Sequence, residues 1–305
     1  MRPRHHHHHA HSDHPDHEAA CGANGSGGFG EFLRSLLSGI PWADRAEMEE
    51  TLRFAAPRSG AIRVENVNGK TRVIGEERAD IEVRMLKVAR AESETAARAL
   101  AEATGLAVNE TDAALELLVS IPRKWNRRGV VHMELRVPRG TRVDVQSSNG
   151  RVCVQSLAAA VKAHSSNGAV SVEHVDGDVE VYSSNAKVHC ACVHGKLVAR
   201  TSNGKIEVSK HRGALDAATS NGMIDAEITE LDGPVILATS NGRIAVTLPE
   251  SADADVDVRV DNGIIRSQRS LCRCTHSTGG RLAGQLGKGG FPVKLRTSNG
   301  SISVR

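Results

Sequence analysis

An Asn-Gly step, or a close variant of it, returns along this chain at Asn149, Asn167, Asn185, Asn203, Asn221, Asn241 and Asn262. The first four intervals are 18 residues each, and the next two are 20 and 21. An early copy stands at Asn68 and a late one at Asn299. No other feature constrains the fold as tightly. A unit of this length cannot bury its own apolar face and must stack on its neighbours in a solenoid or an array.

With each Asn as position 0, apolar residues return at positions 3, 5, 12 and 14. They are Val170, Val172, Val179 and Val181 in one repeat, and Ile206, Val208, Leu215 and Ala217 in another. A second glycine stands at position 10 in Gly177, Gly195 and Gly213. The pattern reads as strand, turn, strand, turn with one apolar face. Two architectures satisfy it. In an antiparallel β-meander every Asn-Gly closes a tight hairpin. In a β-solenoid, or β-helix, each repeat is one coil and equivalent positions stack about 4.8 Å apart. A meander leaves its apolar face bare without a second layer, and residues 149–262 carry neither a helix pattern nor a second set of strands. The expectation is an all-β chain, a β-solenoid with roughly 18-residue coils, the antiparallel β-meander being the alternative. Stacking would align Asn149, Asn167, Asn185, Asn203, Asn221 and Asn241 into a structural turn ladder of hydrogen-bonded amides. Ser183, Thr201 and Thr219, at position 16, and Thr239, likewise two residues before the next Asn, would bond from coil to coil in the same way.

Composition agrees with a thin, repetitive core. Aromatic residues make up 2% of the chain and the hydrophobic share is 39%, so the interior must be built from small and β-branched side chains. Four regions separate. Residues 1–28 are His-rich and then Gly-rich and are expected to be a disordered head. Residues 29–47 are a short amphipathic segment, with Phe29, Phe32, Leu33, Leu36, Leu37 and Ile40 at helical spacing. Residues 48–147 mix strands with one helix pattern near 92–103, read as an insertion or a cap. Residues 148–305 are the Ser-Asn-Gly repeat solenoid, and the irregular stretch 266–292 is its natural far cap.

The 39 basic residues nearly balance the 36 acidic ones and are interspersed with them, which gives no electrostatic case for a nucleic-acid partner. Six cysteines do not make a disulfide framework. No stretch is apolar enough to serve as a transmembrane segment, and the first residues lack the apolar core of an export signal. The expected location is cytoplasmic, with export by an unrecognised route as the other possibility.

At Val137-Pro138-Arg139-Gly140, followed by Ser147-Ser148-Asn149-Gly150 and its successors, the chain resembles a bacterial adhesin-like family of unknown function. That family is marked by tandem Ser-Asn-Gly-x-Ile/Val-x-Val repeats after a Val-Pro-x-Gly lead-in. The resemblance covers residues from about 60 to 305. It implies a β-helix-like fold and an adhesin-like role, and it brings no catalytic residues and no cofactor.

Two constellations carry chemistry worth weighing. His189, Cys190, Cys192 and His194, with His174 one coil away, are of the types that zinc accepts. Alternation places Cys190 and Cys192 on one strand face, while position 5, where Cys190 stands, is a core position in other repeats, so no metal site is assigned. Glu173, Asp176, Asp178 and Glu180 read as a solvated face rather than a catalytic pair. The sequence therefore points to a non-enzymatic solenoid that presents a repetitive polar surface, with Lys187, Arg200, Lys205 and Arg243 outward, to a protein or surface partner. Self-association into an intracellular scaffold is the second reading.

Overall fold

The computed structural model describes residues 44–122, 129–278 and 280–305. The His/Gly-rich head and residues 29–43 of the amphipathic segment lie outside the described residues, and residues 44–47 open a strand. In chain order the elements are β1 (Asp44–Ala55), β2 (Ala61–Asn68), β3 (Thr71–Glu76), β4 (Asp80–Ala91), α1 (Glu94–Ala103), β5 (Gly105–Glu110), β6 (Leu115–Ser120) and β7 (Gly129–Pro138). The repeats follow as β8 (Arg142–Asn149), β9 (Val152–Leu157), β10 (Val161–Ser165), β11 (Val170–Asp176), β12 (Val179–Ser183), β13 (Val188–His194), β14 (Leu197–Thr201), β15 (Ile206–Arg212), β16 (Leu215–Asn221) and β17 (Ile224–Glu230). The last five are β18 (Val235–Thr247), β19 (Ala254–Ser267), β20 (Cys272–Thr278), β21 (Arg281–Leu286) and β22 (Phe291–Val304).

Strand pairing decides between the two architectures. Through the repeats every strand pairs in parallel with the strand one repeat away, Val170 with Val188 and Val179 with Leu197, in the 18-residue register. Consecutive strands of one repeat are not paired. They belong to two ladders, one before and one after the Asn-Gly corner. The fold is a β-solenoid, and the Asn-Gly step is a corner between ladders rather than a hairpin.

Each coil turns a short set of side chains inward: Val152, Val154, Leu157, Val161 and Ala163 in one coil, Val188, Cys190, Val193, Leu197 and Ala199 in another. The inward rows of both ladders merge into one continuous hydrophobic core. Stacking at parallel-strand spacing leaves each residue packed on its own equivalents above and below, which suits Val, Ala and Ile and has no room for large rings.

The ends depart from sequence order. Pairing places β2 and β3 between the coil of β8 and β9 and an outer layer of β6 and β7. Beyond β7 lie the antiparallel strands β4 and then β1, with α1 packed on them through Leu100 and Ala101. At the other end β22 is inserted between β18 and β19, so the final repeat in sequence is not the final coil in space. The stretch read as irregular, 266–292, contains the antiparallel pair β20 and β21, which extends the first ladder from β19.

A second corner, at position 7, is built from residues with positive φ that are not glycine: Ser156 (60°), His174 (56°), Cys192 (51°) and Lys210 (51°). The left-handed region costs an L-residue roughly 1–2 kcal/mol. Lys210→Gly is therefore expected to raise stability by about 1 kcal/mol, read as a higher denaturant midpoint, whereas Lys210→Val should lower it.

Candidate binding surface at the Ser-Asn-Gly corners

The corner is held by two sets of hydrogen bonds. Outside, the Asn149 side-chain amide donates to Asn68 Oδ1 at 3.0 Å, Asn167 to Asn149 at 2.9 Å, Asn185 to Asn167 at 3.0 Å and Asn203 to Asn185 at 3.0 Å. The chain of amides continues through Asn221, Asn241 and Asn299 and ends at Asn262. Inside, hydroxyls two residues before the Asn donate to corner carbonyls of the preceding coil, Thr219 Oγ1 to Gly204 O at 3.2 Å and Thr239 Oγ1 to Gly222 O at 3.2 Å. Those buried hydroxyls bond to backbone rather than to one another.

Glycine after the Asn has a different cause from a turn's need for positive φ. Positive φ occurs at this position in Gly69, Gly263 and Gly300. In Gly150, Gly168, Gly204, Gly222 and Gly242 the constraint is proximity, because a Cβ would fall onto the carbonyl oxygen of the corner residue below.

Stacking sorts charges that are interspersed along the sequence. From position −1 to position 2 the corners read Ser-Asn-Gly-Arg (148–151), Ser-Asn-Gly-Ala (166–169), Ser-Asn-Ala-Lys (184–187), Ser-Asn-Gly-Lys (202–205), Ser-Asn-Gly-Met (220–223), Ser-Asn-Gly-Arg (240–243) and Ser-Asn-Gly-Ser (298–301). No acid stands in any of them; Asp261, in the last coil, is the first. Backbone bonds keep position 2 in register, Val152 N to Ala169 O at 3.0 Å and Val188 N to Lys205 O at 2.9 Å. The outward side chains Lys187, Lys205 and Arg243 therefore share one row with Arg151, while Arg200 stands across the Ser row at position −3. Lys187 and Lys205 share Glu207, at 2.8 and 3.5 Å, and the Lys187 contact first among them holds that carboxyl below its usual range. Arg151 and Arg243 are exposed and make no ion pair among the described residues.

Beside the Ser row runs a groove lined by Arg200, Ala218, Ser220, Ala238, Ser240, Arg296 and Ser298. Ala218 and Ala238 lie between Arg200 at one end and Arg296 at the other in the register of β14, β16, β18 and β22. Arg200 pairs with Asp216, and Arg296 lies 3.9 Å from Asp261.

The zinc-type residues are dispersed. Cys190 is fully buried, stacked between Val172 and Val208, and burial pushes its thiol up to about 12. Cys192 does not share its face, contrary to simple alternation, because the positive φ at Cys192 turns the strand and brings Val193 inward instead. His174 occupies the same corner one coil below. His189 faces outward, 3.7 Å from Glu207, and His194 Nδ1 lies 2.8 Å from Asp176 of the coil below. No group of three His, Cys, Asp or Glu side chains suited to a metal ion forms among the described residues.

A histidine occupies the core as well. His211 takes position 8, where other coils have Leu157, Val175 and Val193, and it is fully buried, with Nε2 3.2 Å from Ala214 O. Burial, aided by nearby His194, holds its pKa below the usual 6.5, although the Ala214 carbonyl opposes the shift. The unfolded chain takes up that proton near pH ~6.5 and the folded chain does not. Its neutral-pH stability is thus fully present above that value and lost as pH falls below it. His211→Leu is expected to flatten this acid limb in denaturation midpoints measured from neutral pH downward.

A family model described as Toastrack DUF4097 matches residues 61–305. The chain belongs to that family. The match takes in both ladders, from β2 to the inserted β22, and leaves β1 outside. No curated protein matches this Toastrack chain. Among solved structures, one called a putative adhesin, from Bacteroides fragilis, is 12% identical, with 85% of this chain and 97% of that one covered and a TM-score of 0.44. A putative lipid binding protein from Parabacteroides distasonis is 10% identical, with 84% and 97% covered and a TM-score of 0.39. A putative cell adhesion protein from Clostridium sporogenes is 12% identical, with 85% and 99% covered and a TM-score of 0.29. No helix among the described residues of the Toastrack chain is long and apolar enough to cross a membrane.

Proposed function

We propose that this chain is a non-enzymatic, adhesin-like protein that binds an extended partner or surface through its repeated polar corners. The observation that carries this reading is the return of the outward pair Ser-Asn, followed by Gly in every coil but the one with Ala186, in register from the Ser148 corner to the Ser298 corner. Weak contacts repeated on a rigid spacing act together, since each one formed raises the effective concentration for the next. Surface binding is tested by incubating the purified chain with intact cells and with isolated envelopes, alongside fractionation and surface-protease treatment of cells making the native protein. Saturable envelope binding and protease-accessible native protein are expected. Protein confined inside the cell and inert toward envelopes would overturn the reading.

An assembling scaffold is favoured by one feature, the edge of the last coil. Asn262–Ser267 pairs with β22 on one side and, among the described residues, with nothing on the other, and Ile264 there is 57% exposed. An open edge of this kind can accept another strand. At the opposite end β1 pairs with β4 alone among the described residues, so a second strand edge stands there, and two copies joined through their Ile264 edges are the simplest closed assembly. Light scattering after size exclusion tests this: a dimer that Ile264→Lys converts to monomer supports the pairing, and a native monomer at all concentrations dismisses it.

A further inference from the structure

We propose that the Ser-Asn-Gly edge is a binding track for a linear anionic polysaccharide. The assignment rests on the surface-binding reading and names its ligand. A linear ligand follows from the geometry. Arg151 and Arg243 lie five coils apart on one row, about 24 Å at parallel-strand spacing, and the coils between them offer the same Ser and Asn side chains in the same positions.

Negative charge on the ligand follows from what stacking has sorted. The track holds no acid from the Ser148 corner to the Ser301 corner, carries bases at Arg151, Lys187, Lys205 and Arg243, and is flanked across the Ser row by Arg200 and Arg296. Glu207 already engages the two lysines, so the three arginines Arg151, Arg243 and Arg296 are the groups most open to a new anion.

A saccharide, rather than a nucleic acid, follows from the remaining side chains. In the ladder, Asn149, Asn167, Asn185, Asn203, Asn221 and Asn241 each use one amide N–H and one lone pair of Oδ1 on their neighbours, which leaves a second N–H and a second lone pair to meet a ligand. Together with the Ser hydroxyls these groups match a polymer rich in hydroxyls and carboxylates. Bases would need aromatic faces to stack on. Its own positions −1 to 2 have none, and the rings that flank it at position −3 are His164 and Tyr182 of two adjacent coils, too few for a run of stacked bases.

The test uses the full chain near neutral pH, with alginate oligomers as the polyuronate probe. Length-matched dextran and poly-deoxythymidine serve as comparisons, and binding is followed by calorimetry. Alginate is expected to bind, more tightly with oligomer length and more weakly with added salt, with dextran weak or silent. The combined variant Arg151→Ala, Arg243→Ala, Arg296→Ala should lose about tenfold or more in affinity, because each arginine removes one exposed ion pair. The pair Arg98→Ala, Arg139→Ala, off the track, should bind as the native chain does. Equal binding of dextran, tighter binding of poly-deoxythymidine, or an unchanged triple variant overturns the proposal. A chain that binds envelopes but not alginate overturns the polyanion assignment and leaves surface binding standing; one that binds neither overturns both.

Discussion

Val208→Asp is expected to unfold the repeat stack, whereas Glu207→Ala, one residue away, should melt almost as the native chain does. Val208 is 2% exposed and packs in register between Cys190 and Ala226. A carboxylate there has no partner and no water, and such a change costs on the order of 4–5 kcal/mol. The architecture enlarges the damage. A solenoid coil is stabilised chiefly by the coils above and below it, so a broken middle coil withdraws two interfaces and divides the stack. Glu207 is a half-buried outward carboxylate whose contacts with Lys187 and Lys205 are at the surface, where ion pairs contribute about 0–1 kcal/mol. Circular dichroism melts of both variants check this. The opposite order, with Glu207→Ala unfolding and Val208→Asp tolerated, would mean that the strand is turned over by one residue.

Gly222→Val should destabilise the chain by about 2–3 kcal/mol through overpacking, although the site is at the surface corner and no buried side chain is altered. A Cβ at Gly222 would fall onto the Gly204 carbonyl oxygen, and it would come within 3.1 Å of Thr219 Oγ1, the hydroxyl that bonds that same carbonyl. The strain thus meets the backbone of one coil and the inner hydrogen bond of the other. Ala186, at the equivalent corner, shows that one coil accepts a methyl, so Gly222→Ala should be milder than Gly222→Val. Gly140, where an added Cβ would meet no atom within 4 Å, is the matched control, and Gly140→Ala should leave the denaturant midpoint unchanged.

The track's electrostatics illustrate what is hard to read from a linear sequence. Arg151, Lys187, Lys205 and Arg243 are separated by acids in the chain, among them Glu173, Asp176 and Glu207, and a count of charges shows only near balance. Register removes those acids from the row, because residues 18 apart become neighbours while residues two apart turn to different rows. Knowing the period and sorting residues by position within it would have exposed the row. The dispersal of His174, Cys190, Cys192 and His194 needed more than the period. It depends on the positive φ at position 7, for which Ser, His, Cys and Lys carry no common signal.

What the sequence determined by itself is the repeating coil: its length, its inward positions and its amide corners. These are local and periodic properties, and every coil states them again. The tertiary structure alone decided how the array ends. Asn299 lies in space between Asn241 and Asn262, and β2 and β3 lie inside β6 and β7, because parallel pairing accepts any coil of matching pattern and is indifferent to its place in the chain. Near-identical repeats specify a register within each coil, and only the packing of the whole stack selects which coil follows which.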